Sequence, residues 1–558
     1  MKRLIVILLT LAMCVAVVIG CGTPTTTPAP TTATAPKPAA SPTTTAAPAP
    51  TTAKPAPTTA PTAPITKPAP APASVTPTYG GTLRFIQAAG PGTPIGWPAE
   101  AAGGSWVAAQ ICIFPLLDEE FNGDLNPLIA ESYDVNTSAD KPSITFHLKK
   151  NVKFHDGSPL NAQIVKWNYD NLKVGTLTSS SAAWKSIEVL DDYTVRINLF
   201  QWQNGAVRSF GGPAGSLVSR QAFDTKGLDY MRWNMVGTGA FKQVSFTRDV
   251  ELKLTRFDDF CIPGRPYLQN LNIVYVADEM TRIALFKSGG ADVLALGGNN
   301  KFAKELQDAG YIILASSGGT SMLIPDSMNK DSIWANPKIR MAAEYAIDKE
   351  GLSKAFGYGF WETAYQMPSK DAKAYVPTIA GRKFDTAKAK QLLSEAGYPN
   401  GFKSTIIAAS TQNKDIPVAI QAQLKAIGID IDIQFAESTK YAGYQMGTWK
   451  DALLLADVTY RANYNAVLSQ FFATTSPWYK SMKKPDGWDA MLNASLVSPA
   501  QDAKLLGKCI QALYDDATVI PLYCPSSTNA TTKKVFNTGL GTKGSNTIWD
   551  SKNTWMSK

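Results

Sequence analysis

His147 and His155 are the only two imidazoles in 558 residues, so any reaction needing a base that titrates near neutrality must recruit one of them. His147 alternates onto the polar side of Ile144-Thr145-Phe146-His147-Leu148, and His155 sits in the turn-like stretch KFHDG. Both read as local structural residues. No Gly-x-Ser-x-Gly elbow accompanies them, so a histidine-assisted hydrolase has no motif to stand on. A zinc site of Cys-x-x-Cys type or a nickel site of several imidazoles is likewise unsupported, and no cofactor is expected. Gly237-Thr238-Gly239 lacks the third glycine and the helix start of a dinucleotide fingerprint, and no Gly-Lys-Ser/Thr phosphate loop occurs. Asp457, in DALLLADVTYRANY, is a single carboxylate closing an apolar run. Burying it unpaired would be costly, so it either meets a cation or stays in water.

Cys21 offers chemistry of another kind. Lys2 and Arg3 precede an apolar stretch from Leu4 to Ile19, shorter than the ~20 residues that span a bilayer comfortably. A basic start and a short apolar run read as a secretory signal. Val18-Ile19-Gly20-Cys21 resembles the lipobox of bacterial lipoproteins, in which the cysteine sulfur is acylated before cleavage. Cys14 is a poorer fit, because Met13 is not small. An uncleaved anchor with an incidental cysteine would also leave the chain outside, so export follows on either reading. Residues 22 to 78 hold 16 of the 37 prolines and no acids, with Thr and Ala making up most of the rest. Such a segment cannot bury a core and reads as an extended leash, with a composition similar to O-glycosylated stalks.

About 480 residues follow from Tyr79, too many for one ordinary core and enough for two lobes with a hinge. The formal charge is +9; five basic residues and no acids precede Tyr79, so the body carries +4, too mild and dispersed for nucleic acid. Cys112, Cys261, Cys509 and Cys524 are too scattered to form a disulfide framework. Cys509 and Cys524 are close enough in sequence for one disulfide, with two separate buried thiols as the alternative.

The elements that must position these residues are legible in part. Ile144–Leu148, Thr194–Leu199 and Val250–Leu254 alternate apolar and polar residues and predict half-buried antiparallel strands. Asn122-Gly123 and Asp156-Gly157 mark turns. Asp385 can cap a helix carrying Ala389, Leu392, Leu393 and Ala396 on one face, ending at Gly397. In IQAQLKAIGIDIDIQF the spacing turns from helical to period two across Gly428, an α/β unit. The first half is richer in hairpins and the second in helix–strand alternation.

Ordered segments over nearly the whole body resemble one family, the peptide, nickel and oligosaccharide class of solute-binding proteins of ABC transporters, family 5. They are YGGTLRF at Tyr79, LNPLIAESYDV, ITFHLKKNVKFHDGSPLNAQIVKW, VGTGAFK at Val236, EMTRIALFKSGGADV, NPKIRMAAEYAIDKE, FDTAKAKQLLSEAGYPNGF, AIQAQLKAIGIDIDIQ and VIPLY. The resemblance implies an α/β, two-lobed periplasmic-binding-protein-like fold (type II, large cluster C type) with an extra subdomain in the first lobe. The expected division is a lipoprotein signal (1–20), a lipid-anchored linker (21–78), a first lobe (79–316) with an insert at about 101–219, a second lobe (317–523) and a C-terminal return (524–558).

The same resemblance implies a binding protein rather than an enzyme, a monomer tethered by lipid on the extracytoplasmic face of the cell membrane, and permease subunits as partners, with ATP hydrolysis left to a separate subunit. The ligand is a small solute held between the lobes, a short peptide first and an oligosaccharide as the alternative within the fold; an envelope hydrolase is the alternative from another class. An Ala-Asp pair after an apolar strand holds the ligand's α-ammonium group in peptide-binding relatives, and Ala456-Asp457 matches it, although Leu454 and Leu455 stand where relatives often have Trp and Cys. Trp361, Trp449 and Tyr460 flank second-lobe segments near the cleft, and Trp106 follows Gly103-Gly104-Ser105 in the first. Each is an aromatic that could contact ligand or simply fill core. Crossings between lobes are expected at Ser317, Gly318, Gly319 and Thr320 and at Tyr523 and Cys524.

Overall fold

The computed structural model describes residues 76–119, 124–175, 181–317, 319–459, 463–541 and 549–558. The signal, Cys21, nearly all of the leash, Asn122-Gly123, Gly318 and Tyr460 lie outside the described residues. Among the described residues no helix is long and apolar enough to cross a membrane.

Two large mixed sheets organise the body. The first has seven strands in the order Ile312–Ser317, Ser526–Thr531, Val293–Gly297, Thr82–Gln87, Asn270–Tyr275, Glu251–Arg256 and Phe241–Thr247. Alternation along Thr82–Gln87 sends Phe85 to one face and Ile86 to the other, and each face has its own core. Phe85 shares its core with Phe146 and Ile197 of a separate antiparallel sheet of four strands, Ala130–Asn136, Ser143–Leu148, Thr194–Leu199 and Trp184–Asp191. The alternating runs at 144–148 and 194–199 therefore pair as antiparallel neighbours, and the third run pairs antiparallel on both sides within the first sheet.

The second sheet has six strands in the order Glu362–Thr363, Ile520–Cys524, Gly319–Pro325, Ala452–Thr459, Phe402–Ala409 and Ile429–Ala436. Helices cover both faces, which is why Ala452–Thr459 reads as an unbroken apolar run up to Ala456. Thr386–Glu395 is a helix whose cap, Asp385 Oδ1, accepts from Lys388 N at 2.9 Å. Helix Asp415–Lys425 passes through Gly428 into Ile429–Ala436. Gly428 has φ +95°, and a Cβ on the facing Gly401, itself at φ +76°, would stand 1.8 Å from the Gly428 carbonyl oxygen, so neither position accepts a side chain.

The chain passes between the sheets twice, each time in one residue. Ser317 ends a strand of the first sheet and Gly319 begins one of the second; Cys524 ends a second-sheet strand and Ser526 begins one of the first. The crossings lie side by side, because Ser317 pairs with Ser526 and Ser321 with Tyr523. Cys112, Cys261, Cys509 and Cys524 are all free, so the disulfide considered for Cys509 and Cys524 is absent: Cys509 is buried on helix Ala503–Asp515, and the Cys524 sulfur faces Thr320 Oγ1 at 3.6 Å.

Candidate functional site

Asp457 is the first exposed residue of strand Ala452–Thr459 after five buried ones. It lies opposite Ser321 in register, which lies opposite Tyr523, so three side chains form a row across adjacent strands beside the two crossings. Ser321 Oγ donates to Asp457 Oδ1, and Gln412 Nε2 donates to Oδ2 at 3.2 Å. Among the described residues no lysine, arginine or histidine forms an ion pair with this carboxylate. Neutral donors orient it without neutralising it, which leaves its charge available to a cation from solution.

Aromatic rings surround the acid. Tyr523 is buried, and Trp361 stacks on it with ring centroids 4.3 Å apart and planes 13° from parallel. Burial first, and then the Asp457 charge, pushes the Tyr441, Tyr479 and Tyr523 hydroxyls well above the ordinary phenol range, so all three remain protonated. Tyr441 spends its proton on Leu455 O at 2.6 Å, bracing the strand two residues before the acid. Trp361 is half-buried, and its indole nitrogen is buried without an acceptor among the described residues.

The other aromatic candidates separate. Trp449 is 5 % exposed within the second-sheet core, packed edge-on to Tyr479. Trp106 is half-buried on the short helix Gly104–Ala109, against the first-sheet core. Gly319 has φ +127° at the start of its strand, and Thr320 Oγ1 donates to Met367 O at 2.5 Å. Ser321 and Gln412, which hold Asp457, carry no signal of their own in sequence, because their role depends on strands and loops brought together only by the sheet.

A second meeting of the lobes lies away from the crossings. Asn204, in the loop after strand Thr194–Leu199, donates its backbone N–H to Leu496 O at 2.9 Å; its side-chain nitrogen lies 2.7 Å from Ser495 O, 3.1 Å from Ser498 Oγ and 3.3 Å from Ala500 O. Trp202 Nε1 donates to Ser498 O at 3.2 Å, and Asn465 Nδ2 donates to Asn204 Oδ1 at 3.2 Å. The Ser495 and Leu496 carbonyls belong to the last turn of helix Trp488–Val497, whose final groups have no partner within their own helix, and Ser498 and Ala500 follow it.

Two α/β lobes joined by paired one-residue crossings define a two-lobed fold. Residues 124–484, more than half of the chain, match the bacterial extracellular solute-binding proteins, family 5 Middle, and the protein belongs to that family. It is 31 % identical over 313 residues to the glutathione-binding protein GsiB of Pectobacterium atrosepticum, covering 55 % of this chain and 60 % of that one. The chain thus spans about 60 % of the length of that curated relative. Among solved structures it resembles the ABC transporter-associated periplasmic binding protein DppA from Helicobacter pylori in complex with peptide STSA, at 25 % identity and TM-score 0.69 over 86 % of this chain and 99 % of that one. NikA from Brucella suis in complex with Fe(III)-EDTA shares the fold at 21 % identity and TM-score 0.74, over 86 % of this chain and 100 % of that one. The family is one of solute capture outside the cytoplasm, not of catalysis.

Proposed function

We propose that the protein captures a short peptide between its lobes, holds the peptide's α-ammonium group on Asp457, and delivers it to the permease of an ABC transporter. The observation that carries this reading is an exposed carboxylate aimed by Ser321 and Gln412, with no cationic partner among the described residues, next to the stacked Trp361–Tyr523 pair. Likeness to a peptide-bound DppA supports the choice of ligand class. Ser317, Gly319, Thr320, Tyr523 and Cys524 would serve as the hinge, since two one-residue crossings allow rotation while keeping the strand ends paired. Closure is favoured only by contacts that the closed form adds. Asp457→Asn should weaken peptide binding by roughly 2–5 kcal/mol, much of it from leaving an ammonium unpaired, and N-acetylated peptides should bind the parent protein poorly in calorimetry. Tight binding of an N-blocked peptide or a neutral oligosaccharide, undiminished in Asp457→Asn, would move the assignment to sugars.

We further propose that acylated Cys21 tethers the protein to the outer face of the cell membrane, the leash giving the lobes reach. Diacyl and N-acyl chains supply the two or more signals that stable anchoring needs. In Cys21→Ala the protein should appear in the medium or remain unprocessed while peptide binding by the lobes persists. Complete signal cleavage with unchanged, detergent-dependent membrane association would refute the anchor.

A further inference from the structure

The first sheet lines one side of a partly open cavity of about 210 Å³ at the end where the chain crosses to the second sheet. Its floor is the sheet face that carries Phe85. Pairing fixes a row across four strands on that face: Asn529 is opposite Ala295, Gln87 is opposite Tyr275, and the register Phe85–Val293, Ile86–Leu294 continues to bring Gln87 level with Ala295. One level deeper Phe85 and Ile273 line the cavity, with Trp549 edge-on to Phe85 at 5.1 Å. The cavity exists because small residues occupy the strand Val293–Gly297 at this level: Ala295 in the row, and Gly297 beyond it, where a Cβ would meet nothing within 4 Å.

Shape and chemistry both limit what fits. An apolar cavity of roughly 150 Å³ accepts benzene, so this one holds a six-membered ring with room for a substituent. Tyr275 is 6 % exposed and its hydroxyl, buried in the cavity wall, has no hydrogen-bond partner among the described residues. Buried polar groups are paired in nearly all native structures, so an unpartnered hydroxyl in the cavity wall marks a place for an incoming polar atom. Burial, and then the Asp249 charge, raise this phenol far above neutrality, so it meets that atom as a neutral group able to donate or accept. The cavity is also within reach of the acid in the other sheet. Tyr523, two strands across from Asp457, is four residues from Ser527 at the cavity rim; four residues span at most ~14 Å and two strand spacings add ~10 Å, so the acid and the rim are at most roughly 24 Å apart.

We propose that the ligand sends a ring-bearing side chain with a polar tip, of tyrosine type, into this cavity, where Ala295 sets the room available and Tyr275 reads the tip. This rests on the peptide reading given above. It makes the first sheet the source of side-chain selectivity, and the second sheet the anchor of the peptide's main chain.

The test measures calorimetric affinities of trialanine and of the three tripeptides carrying one tyrosine among alanines, with the matching phenylalanine set, for the parent protein, Ala295→Leu and Tyr275→Phe. At one placement tyrosine should improve affinity at least tenfold over trialanine. Ala295→Leu should erase that gain, so that the tyrosine peptide binds no better than trialanine, and Tyr275→Phe should narrow the preference for tyrosine over phenylalanine several-fold. Should Ala295→Leu lower the melting temperature markedly, Ala295→Val serves in its place. A second arm follows p-cresol by saturation transfer, which needs no peptide anchor; its signal should be present with the parent protein and lost on Ala295→Leu. If no tripeptide binds but p-cresol does so in this Ala295-dependent way, the cavity stands and the peptide reading falls. Tripeptides that bind without regard to the ring overturn the proposal, as does p-cresol that fails to bind or binds Ala295→Leu equally well.

Discussion

His155 shows how a residue with no part in capture still sets a condition on the protein. Its Nε2 lies 3.0 Å from Gly239 O and its Nδ1 3.3 Å from Met235 O, with Phe257 edge-on to the ring. A neutral imidazole has one N–H and can satisfy only one of these carbonyls. Even so, burial lowers its pKa from the usual 6.5, with Lys242 opposing the cation as well, and outweighs the two carbonyls and Asp156 that favour it. A histidine whose folded pKa is depressed contributes stability that is present above its unfolded pKa and is lost as pH falls through and below that value. Chemical denaturation should therefore show stability declining from pH 7 to 5, with a shallower decline in His155→Gln; equal slopes would mean that the ring titrates alike in both states. Of the residues at the candidate site, Asp457 was legible because one acid closing an apolar run has few comfortable places to be. Ser321 and Gln412 were not, since Ser321 lies 136 residues and Gln412 45 residues from the acid they orient.

At the scale of elements, legibility followed periodicity and capping. The helix from Thr386, capped by Asp385, and the helix-to-strand passage through Gly428 could be read because their signals are local, set by 3.6-residue spacing, a side-chain cap and a positive φ. Strand Ser526–Thr531 was opaque. Its sequence, SSTNAT, has neither alternation nor bulk, yet five of its six residues are buried, because it is inserted between Ile312–Ser317 and Val293–Gly297 and takes its order from them. The tyrosine-sized cavity was hidden for the same reason. Ala295, Gln87, Tyr275 and Asn529 come from four distant segments, and only the register makes them a row. Trp449 illustrates the opposite limit: composition cannot tell an aromatic that fills a core from one that faces a ligand, and this one is buried.

The whole molecule adds a question of balance between open and closed arrangements. Trp202 belongs to the core of the first sheet, while Trp488 and Leu492, on the helix that Trp202 and Asn204 contact, belong to a core of the second. Asn204 therefore caps the C-terminal carbonyls of a helix in the other lobe, and it can do so only while the lobes are together. Water satisfies those carbonyls when the lobes part, so each bond contributes only its net ~0.5–1.5 kcal/mol, and the side-chain contacts of Asn204 together about 1–3 kcal/mol. In Asn204→Ala the open-to-closed ratio should accordingly rise roughly 5- to 150-fold, and the apparent peptide affinity should fall to the extent that binding requires the closed form. Small-angle scattering of the ligand-free protein should show a larger radius of gyration, and calorimetry a weaker peptide complex, while thermal unfolding changes little because both cores are untouched. Unaltered scattering and affinity would mean that Asn204 adds nothing to closure, leaving the ligand and the paired crossings to hold the lobes together.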